Sequence, residues 1–370
     1  MRTITTDWEV TTRNKGHVFD PLNKAVCLGV KVNDEKASCQ FDSFGTVGVD
    51  TPSIWVFFNA KFDCHWYRRL SLWPLSGSIW CCQIAEFILE GQANKYPSLE
   101  QAAIKYGLGH KIDVIKTEYW DKELDTTDVP VDVLSDYCIQ DVELTYQIYL
   151  KQVEQFKAHP KLYKLFRLMC QDLLVLQEME WNGQVYNEEL CKQRSIEIEQ
   201  QINDITTSLK SIYPDININF GSGDQLSAFL YGGPIFYEEV EHVGFYKNGK
   251  PKTKKVEKWH TLPRLVEPLE GSALKKEGFY ATNAETLGKL KGPAAKKFVG
   301  PLLELARLDK LNGTYYKGIP KKNKEMNWEH NKIHGQFNQV VAVTGRLSAT
   351  EPNQQNFSSE ILDIFVSRYE

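Results

Sequence analysis

Thr3-Ile4-Thr5-Thr6-Asp7-Trp8-Glu9 opens the chain with β-branched residues and closes on two carboxylates two positions apart. Such a run predicts a strand, and the strand period of two points Asp7 and Glu9 to the same side of the sheet. Hard oxygen ligands converging from one rigid element are what a divalent cation needs. Working outward, residues 25–32 are apolar and β-rich, and residues 37–41 predict a third strand. Ile54-Trp55-Val56-Phe57-Phe58 is a continuous apolar run, the mark of a buried strand. Helical patterns follow at 60–70, 82–90, 98–106 and from 131 to about 156, the last with Asp128 and Pro130 at its N-terminal edge. Strands followed by helices on a sheet predict an α/β (mixed) domain over residues 1–157.

The pattern then turns helical. Leu162, Leu165, Phe166, Met169, Leu173, Leu176 and Met179 recur at helical spacing and read as a core stripe. Asn182-Gly183 ends this helix, and a second runs from about 187 to 212. Residues 234–282 are rich in Gly, Pro and Lys, with β-like runs at 236–240 and 243–246 and a hairpin turn at Tyr246-Lys247-Asn248-Gly249-Lys250. Helices return at 284–290 and 294–312. These segments predict a mainly helical region over 158–325 with a basic, β-rich insertion at 234–282.

A chain of 370 residues accommodates two or three domains. Its 42% hydrophobic and 25% charged residues are those of a soluble globular protein. No apolar run approaches the roughly 20 residues of a membrane span, and the N-terminus has no signal-peptide core. No membrane partner and a cytoplasmic location are therefore expected. The eight cysteines form no CxxC pair, which predicts reduced thiols, not a disulfide framework or a zinc site. The net charge of −4 hides an asymmetry. Residues 1–150 hold 14 Lys/Arg against 21 Asp/Glu, whereas residues 246–297 hold 13 against five. An acidic front and a basic stretch behind it fit a metal-dependent site beside a phosphate-contacting surface.

Two further pieces join Asp7 and Glu9. Asn59-Ala60-Lys61-Phe62-Asp63 follows a buried strand, which sets Asp63 near a helix start. Tyr137 and Asp141, four apart in the long helix, share one face. In this order Asp7/Glu9, Asp63 with Asn59 ahead, and Tyr137/Asp141 resemble the three motifs of the DEDD exonucleases, in their tyrosine-bearing subclass. Phe58 stands where relatives often carry His. The resemblance implies a ribonuclease H-like fold and 3′→5′ cleavage of single-stranded DNA ends with two Mg2+ ions, Mn2+ being an alternative. It implies that Asp7 bridges the two metals, Glu9 and Asp141 complete the site that activates water, and Asp63 supports the second metal. Tyr137 would hydrogen-bond the attacking water, and Asn59 would contact the DNA.

The resemblance continues. Ile333-His334-Gly335-Gln336-Phe337-Asn338-Gln339, followed by Thr344-Gly345-Arg346-Leu347-Ser348-Ala349-Thr350-Glu351-Pro352-Asn353-Gln354-Gln355-Asn356, looks like the segment of family A DNA polymerases that touches the primer–template minor groove. Glu351 and Gln354 replace the more usual Asp and Leu. Phe220 to Leu226 resembles a thumb segment, and Lys310-Leu311-Asn312-Gly313-Thr314-Tyr315 the helix from thumb to palm. The minor groove offers acceptors at every base pair, so a donor there checks pair shape without reading sequence. By the family pattern Arg346 contacts the primer-terminal pair, with Asn353, Gln355 and Asn356 nearby, and Lys252, Lys254, Lys255, Lys275 and Lys276 are candidates for backbone contacts.

The implied layout is an exonuclease domain over 1–157, a thumb over 158–325 and the first part of a palm over 326–370. The implied partner is DNA: a single-stranded 3′ end at the first site and a primer–template duplex at thumb and palm. The first catalytic palm motif would follow Ile361-Leu362-Asp363-Ile364-Phe365-Val366-Ser367-Arg368 and is not reached. The expectation is one subunit of a split, phage-like polymerase in an infected bacterium, a second polypeptide supplying the remaining palm and the fingers. The alternatives are a truncated polymerase, or a DNA-binding scaffold subunit with little exonuclease activity.

Overall fold

The computed structural model describes residues 2–42, 44, 48–111, 113–246 and 248–367; Lys247 of the expected turn and Arg368 lie outside this set. β1 (Arg2–Val10), β2 (Ala25–Val32), β3 (Ser38–Gln40), β4 (Ser53–Phe57) and β5 (Gly77–Cys81) form one sheet in the order β3-β2-β1-β4-β5. β2 runs antiparallel to β1 and β3, while β4 and β5 run parallel to β1. β1 is thus central, and its residues Ile4 and Trp8 are buried. Its pairing with β4 ends at Thr5 and Val56. Beyond that point the Trp8 N–H finds Asp63 instead of a strand, donating to Oδ1 at 3.2 Å.

The helices α1 (Ala60–Arg69), α2 (Cys82–Leu89), α3 (Leu99–Lys105), α4 (Val114–Glu118), α5 (Val131–Ala158) and α6 (Pro160–Asn182) cover this sheet. Trp55, Phe57, Trp66 and Tyr67 are fully buried in its core. α5 lies on β1 and β2, and Gly29 decides how closely. A Cβ added at Gly29 would meet Val142 Cγ2 at 2.6 Å and Cys138 Sγ at 2.8 Å. Real Cβ contacts are not that short, so only glycine lets this helix press so near. Gly29 pairs with Asp7 across β1 and β2, so the closest approach of α5 is at the carboxylate strand.

After β6 (Gln184–Val185) comes a stretch that forms its own compact unit, residues Glu189–Gly318. It contains most of α7 (Glu188–Lys210), then α8 (Gly223–Tyr231), β7 (Gly233–Phe245), β8 (Pro251–Leu262), α9 (Ala284–Gly288) and α10 (Pro293–Lys310), which runs into a π-helical turn at Leu311–Tyr316. Phe229, Leu230, Phe298 and Leu302 are among its core residues. β7 and β8 pair from Gly233–Leu262 to Phe245–Pro251 as one long hairpin. The short runs expected at 236–240 and 243–246 fall on β7, the second ending one residue beyond it. The hairpin turn expected at 246–250 implies a partner strand but sets no bounds for it, because Lys252, Lys254, Lys255 and Lys258 break the apolar pattern that marks a strand.

Residues Met1–Glu188 and Ile319–Glu370 form the other unit. α11 (Gly318–Glu325) leads into β9 (Lys332–Ile333), which pairs with β6, and β10 (Gln336–Asn338), which pairs with β11 (Ser348–Thr350). An expected boundary after residue 157 is not where compactness breaks, because α6 packs with α1, α2 and α5. Glu180 on α6 explains the cohesion. Its carboxylate accepts from Lys61 Nζ at 2.6 Å, from the Phe337 N–H at 2.6 Å and from His65 Nε2 at 2.8 Å. Its backbone carbonyl faces His334 Nδ1 at 2.8 Å. Burial raises the Glu180 pKa, but His65 and Lys61 more than offset it and hold the carboxyl below its usual value. The His334 ring stacks on Phe19 with centroids 3.8 Å apart. One carboxylate therefore ties α6, α1 and the chain after residue 319.

Two substitutions test this packing. Gly29→Ala overpacks the α5 contact and is expected to cost about 1–3 kcal/mol in chemical denaturation. Glu180→Ala strands Lys61 and His65 without their partner and is expected to cost about 3–5 kcal/mol. Near-neutral results for both would contradict the packing described.

Candidate active site: four carboxylates, a lysine and a tyrosine

β1 delivers the first pair. Asp7 and Glu9 face the same side, and their carboxylate oxygens lie within 4.8 Å of each other and of Cys138 Sγ. Asp7 is half-buried and Glu9 is buried. Asp63 sits in the first turn of α1, fixed by the Trp8 N–H. Asp141 and Tyr137 come from α5, both buried. The four acids thus converge from β1, α1 and α5. Among the described residues no three of these carboxylates lie within 4.8 Å of one another.

Lys111 is the residue that sequence reasoning missed. Its ammonium pairs with Asp141 Oδ2 and lies 4.6 Å from the centre of the Tyr137 ring. Its charge also acts on Asp7 and Glu9. Burial lowers the Lys111 pKa, but the attraction of Asp141, Asp7 and Glu9 outweighs it, and the net shift is upward. Lys111 lies in the irregular stretch before α4, outside any recognisable pattern, so no sequence signal marks it.

The electrostatics are those of an anionic site short of positive charge. Burial, then repulsion by Asp7 and Asp141, pushes Glu9 well above the usual carboxylate range. Burial and the Asp7 charge do the same to Asp63. Asp7 is raised by burial despite Lys111. Burial raises Asp141 to about 7, Lys111 opposing and Asp7 reinforcing the shift. The Tyr137 phenol is pushed upward by burial and by the charges of Glu9, Asp141 and Asp7, so it stays protonated and available as a donor. Asp141 Oδ1 is buried and has no hydrogen-bond partner, a cost that a cation would relieve. All four groups offer hard oxygen donors, Lys111 already stands in for one positive charge, and one oxygen is orphaned. The residues therefore fit divalent cations of the Mg2+ or Mn2+ type.

Other expected site residues lie elsewhere. Asn59 is exposed and lines a cavity of about 390 Å3 together with Lys61, His65, Glu180 and His334, which none of the four carboxylates lines. Arg346 is exposed in the turn before β11. Asn353, Gln355 and Asn356 gather in one tight turn, where the Asn353 side chain accepts from the Gln355 N–H at 3.2 Å. Of the basic candidates, Lys255 pairs with Glu238 at 2.6 Å and Lys276 with Asp224 at 2.5 Å.

Comparison with known proteins bears on the second half of the chain most directly. Residues 188–368 match the model of DNA polymerase family A. DNA polymerase I of Synechocystis is 25% identical over 306 residues, covering 81% of this chain and 26% of the relative. DNA polymerase I of Chloroflexus aurantiacus is 27% identical over 238 residues, covering 64% and 21%. DNA polymerase I of Bacillus caldotenax is 40% identical over 93 residues, covering 25% and 10%. The chain thus spans about a quarter or less of the length of these relatives. Among solved structures, the POL domain of Pol1 from M. smegmatis, in complex with DNA primer-template and dNTP, superposes with a TM-score of 0.68 at 19% identity, covering 99% of this chain and 55% of that one. That likeness establishes a shared mixed α/β fold. Residues 188–368, just under half of the chain, are thus similar to DNA polymerase family A.

Proposed function

We propose that residues 1–157 are a 3′→5′ exonuclease of ribonuclease H-like fold that removes nucleotides from single-stranded DNA ends, a proofreading activity. Residues 158–325 and 326–370 serve as the thumb-like and first palm parts that hold a primer–template duplex. The observation that carries this reading is the convergence of Asp7, Glu9, Asp63 and Asp141 beside the Tyr137 phenol. A mixed sheet with the carboxylate strand at its centre supports the fold. The solved relative's complex with primer-template DNA supports duplex binding by the second part.

The residues have separable roles. Asp7, Glu9, Asp63 and Asp141 would hold the divalent ions, which supply an acidified water and neutralise the leaving 3′-oxygen. Tyr137, kept protonated, donates a hydrogen bond that orients the water. Glu9 stands beside it, positioned to accept the proton that water gives up. Lys111 keeps the metal-free site from excess repulsion. Arg346, Asn353, Gln355 and Asn356 present donors to base-pair edges, and Asn59 contacts DNA outside the carboxylate group.

The test is Mg2+-dependent digestion of a 3′-labelled single strand. Asp7→Ala is expected to lower the rate roughly 1,000-fold, as expected for several kcal/mol of lost charge stabilisation. Arg346→Ala is expected to leave digestion nearly intact and to weaken duplex binding roughly 10-fold, about 1.4 kcal/mol. Equal digestion by wild type and Asp7→Ala would overturn the assignment.

A pH experiment tests the electrostatics without substrate. The Asp141 pKa is about 7 in the fold against an ordinary 3.8. A carboxyl raised in this way contributes stability that is fully present below about pH 4 and lost as pH rises through 7. The buried histidines His17 and His334, lowered to about 4 by burial, act in the opposite sense up to about pH 6.5. The informative quantity is therefore the difference between Asp141→Asn and wild type in EDTA. That variant is expected to be the more stable, its lead in Tm opening between pH 4 and 7 and then levelling, and Mg2+ is expected to close the gap at pH 8. A gap that is constant with pH would contradict the assigned shift.

A further inference from the structure

Three cysteines meet behind the carboxylate strand. Cys27 on β2, Cys39 on β3 and Cys138 on α5 place their sulfurs within 4.8 Å of one another. They are 12 and 99 positions apart in the chain, so no spacing motif marks them. The geometry follows from the sheet. Cys39 pairs with Gly29 across β3 and β2, and Cys27 is two residues from Gly29 on the same face. The Cys138 sulfur fills the space that the missing Gly29 side chain leaves. Ile115, Val129 and Leu134 surround the group with apolar side chains. Cys27 and Cys138 are fully buried, whereas Cys39, on the edge strand, is half-buried and gives access from solvent.

We propose that Cys27, Cys39 and Cys138 form a binding site for a thiophilic divalent cation of the Zn2+ class, with Glu9 as its fourth ligand. Zinc–thiolate sites place metal and sulfur about 2.3 Å apart, which in a tetrahedron sets the sulfurs about 3.8 Å from one another. Small side-chain rotations from the present separations reach that geometry. Glu9 reaches the fourth position by rotation of its side chain, since it lies close to Cys138 but is not within 4.8 Å of all three sulfurs. It pairs with Cys27 across β1 and β2, and a carboxylate oxygen lies within 4.8 Å of Cys138 Sγ. Buried cysteines often serve only as small apolar side chains. Here three thiols from three separate elements converge on one point next to a carboxylate, with an apolar shell around them and one ligand open to solvent. Soft sulfur ligands select zinc-class cations over Mg2+, so the site is chemically distinct from the all-oxygen cluster beside it. Because Glu9 belongs to both groups, a cation held by the sulfurs draws Glu9 away from Asp7. The site stands whether or not the carboxylates serve a nuclease.

The experiment uses the full chain, reduced and stripped of metal, in excess Mg2+ to satisfy the oxygen ligands. Cd2+ is added as the probe, and its thiolate charge-transfer absorption is followed in the ultraviolet. The band is expected to saturate at one Cd2+ per chain. Cys39→Ser and Cys39→Ala, at the half-buried position, are each expected to weaken binding by more than about 100-fold, since even changes beside a ligand cost about 10–100-fold. Glu9→Gln is expected to weaken binding while keeping the sulfur band. Cys191→Ser, in the other compact unit, is expected to leave the titration unchanged. Circular dichroism verifies that each variant is folded. Absence of a band at stoichiometric Cd2+, or a band unchanged in both folded Cys39 variants, would overturn the proposal.

Discussion

A helix can lie on a sheet only as near as the side chains between them allow, and at Gly29 there is none. That single vacancy sets the height of α5 above β1 and β2. With α5 come Tyr137, Cys138 and Asp141, which meet Asp7, Glu9 and Cys27 on the strands below. The candidate active site and the cysteine group are therefore two consequences of one close approach. The energetic result is unusual for a protein interior. Four carboxylates are desolvated together, and the protein holds them with raised pKa values, one ammonium and one orphaned oxygen. Such an arrangement is costly unless something outside the chain supplies positive charge.

Glu180 shows the opposite solution to the same problem. It too is a buried acid, yet its two oxygens take three donors and its pKa falls. The neighbouring histidines His17, His65 and His334 are pushed toward the neutral form by burial. This group is satisfied internally and needs no ligand, which marks it as structural cement joining α6, α1 and the strands after residue 319. The contrast between one acid whose donors pull its pKa down and four whose pKa values are raised, within one compact unit, is the strongest argument for where chemistry resides.

What the sequence made legible followed from periodicity. The Asp7/Glu9 strand, the buried strand before Asn59, α1 and the long α5 all announce themselves through patterns of two or 3.6 residues. Tyr137 and Asp141 could be placed on one face of α5 for the same reason. Gly29 was not legible, because a glycine in a strand does not say what presses on it. Lys111 was invisible because it acts through a loop whose path is set by tertiary packing. Cys27, Cys39 and Cys138 read as unrelated thiols, since their meeting depends on strand register. The hairpin turn implied a strand after residue 250, but the extent of β8 escaped because its lysines mimic a solvated loop, although pairing with β7 satisfies its backbone. Glu180 carries no sequence signal, because its partners Lys61, His65 and the Phe337 N–H come from distant parts of the chain.

The most direct measurement is anomalous diffraction from a crystal of the protein soaked in Mn2+. Peaks are expected among Asp7, Glu9, Asp63 and Asp141, with Lys111 moved away from Asp141. A map without peaks there, and with Lys111 still paired to Asp141, would contradict a divalent-cation site at the centre of this fold.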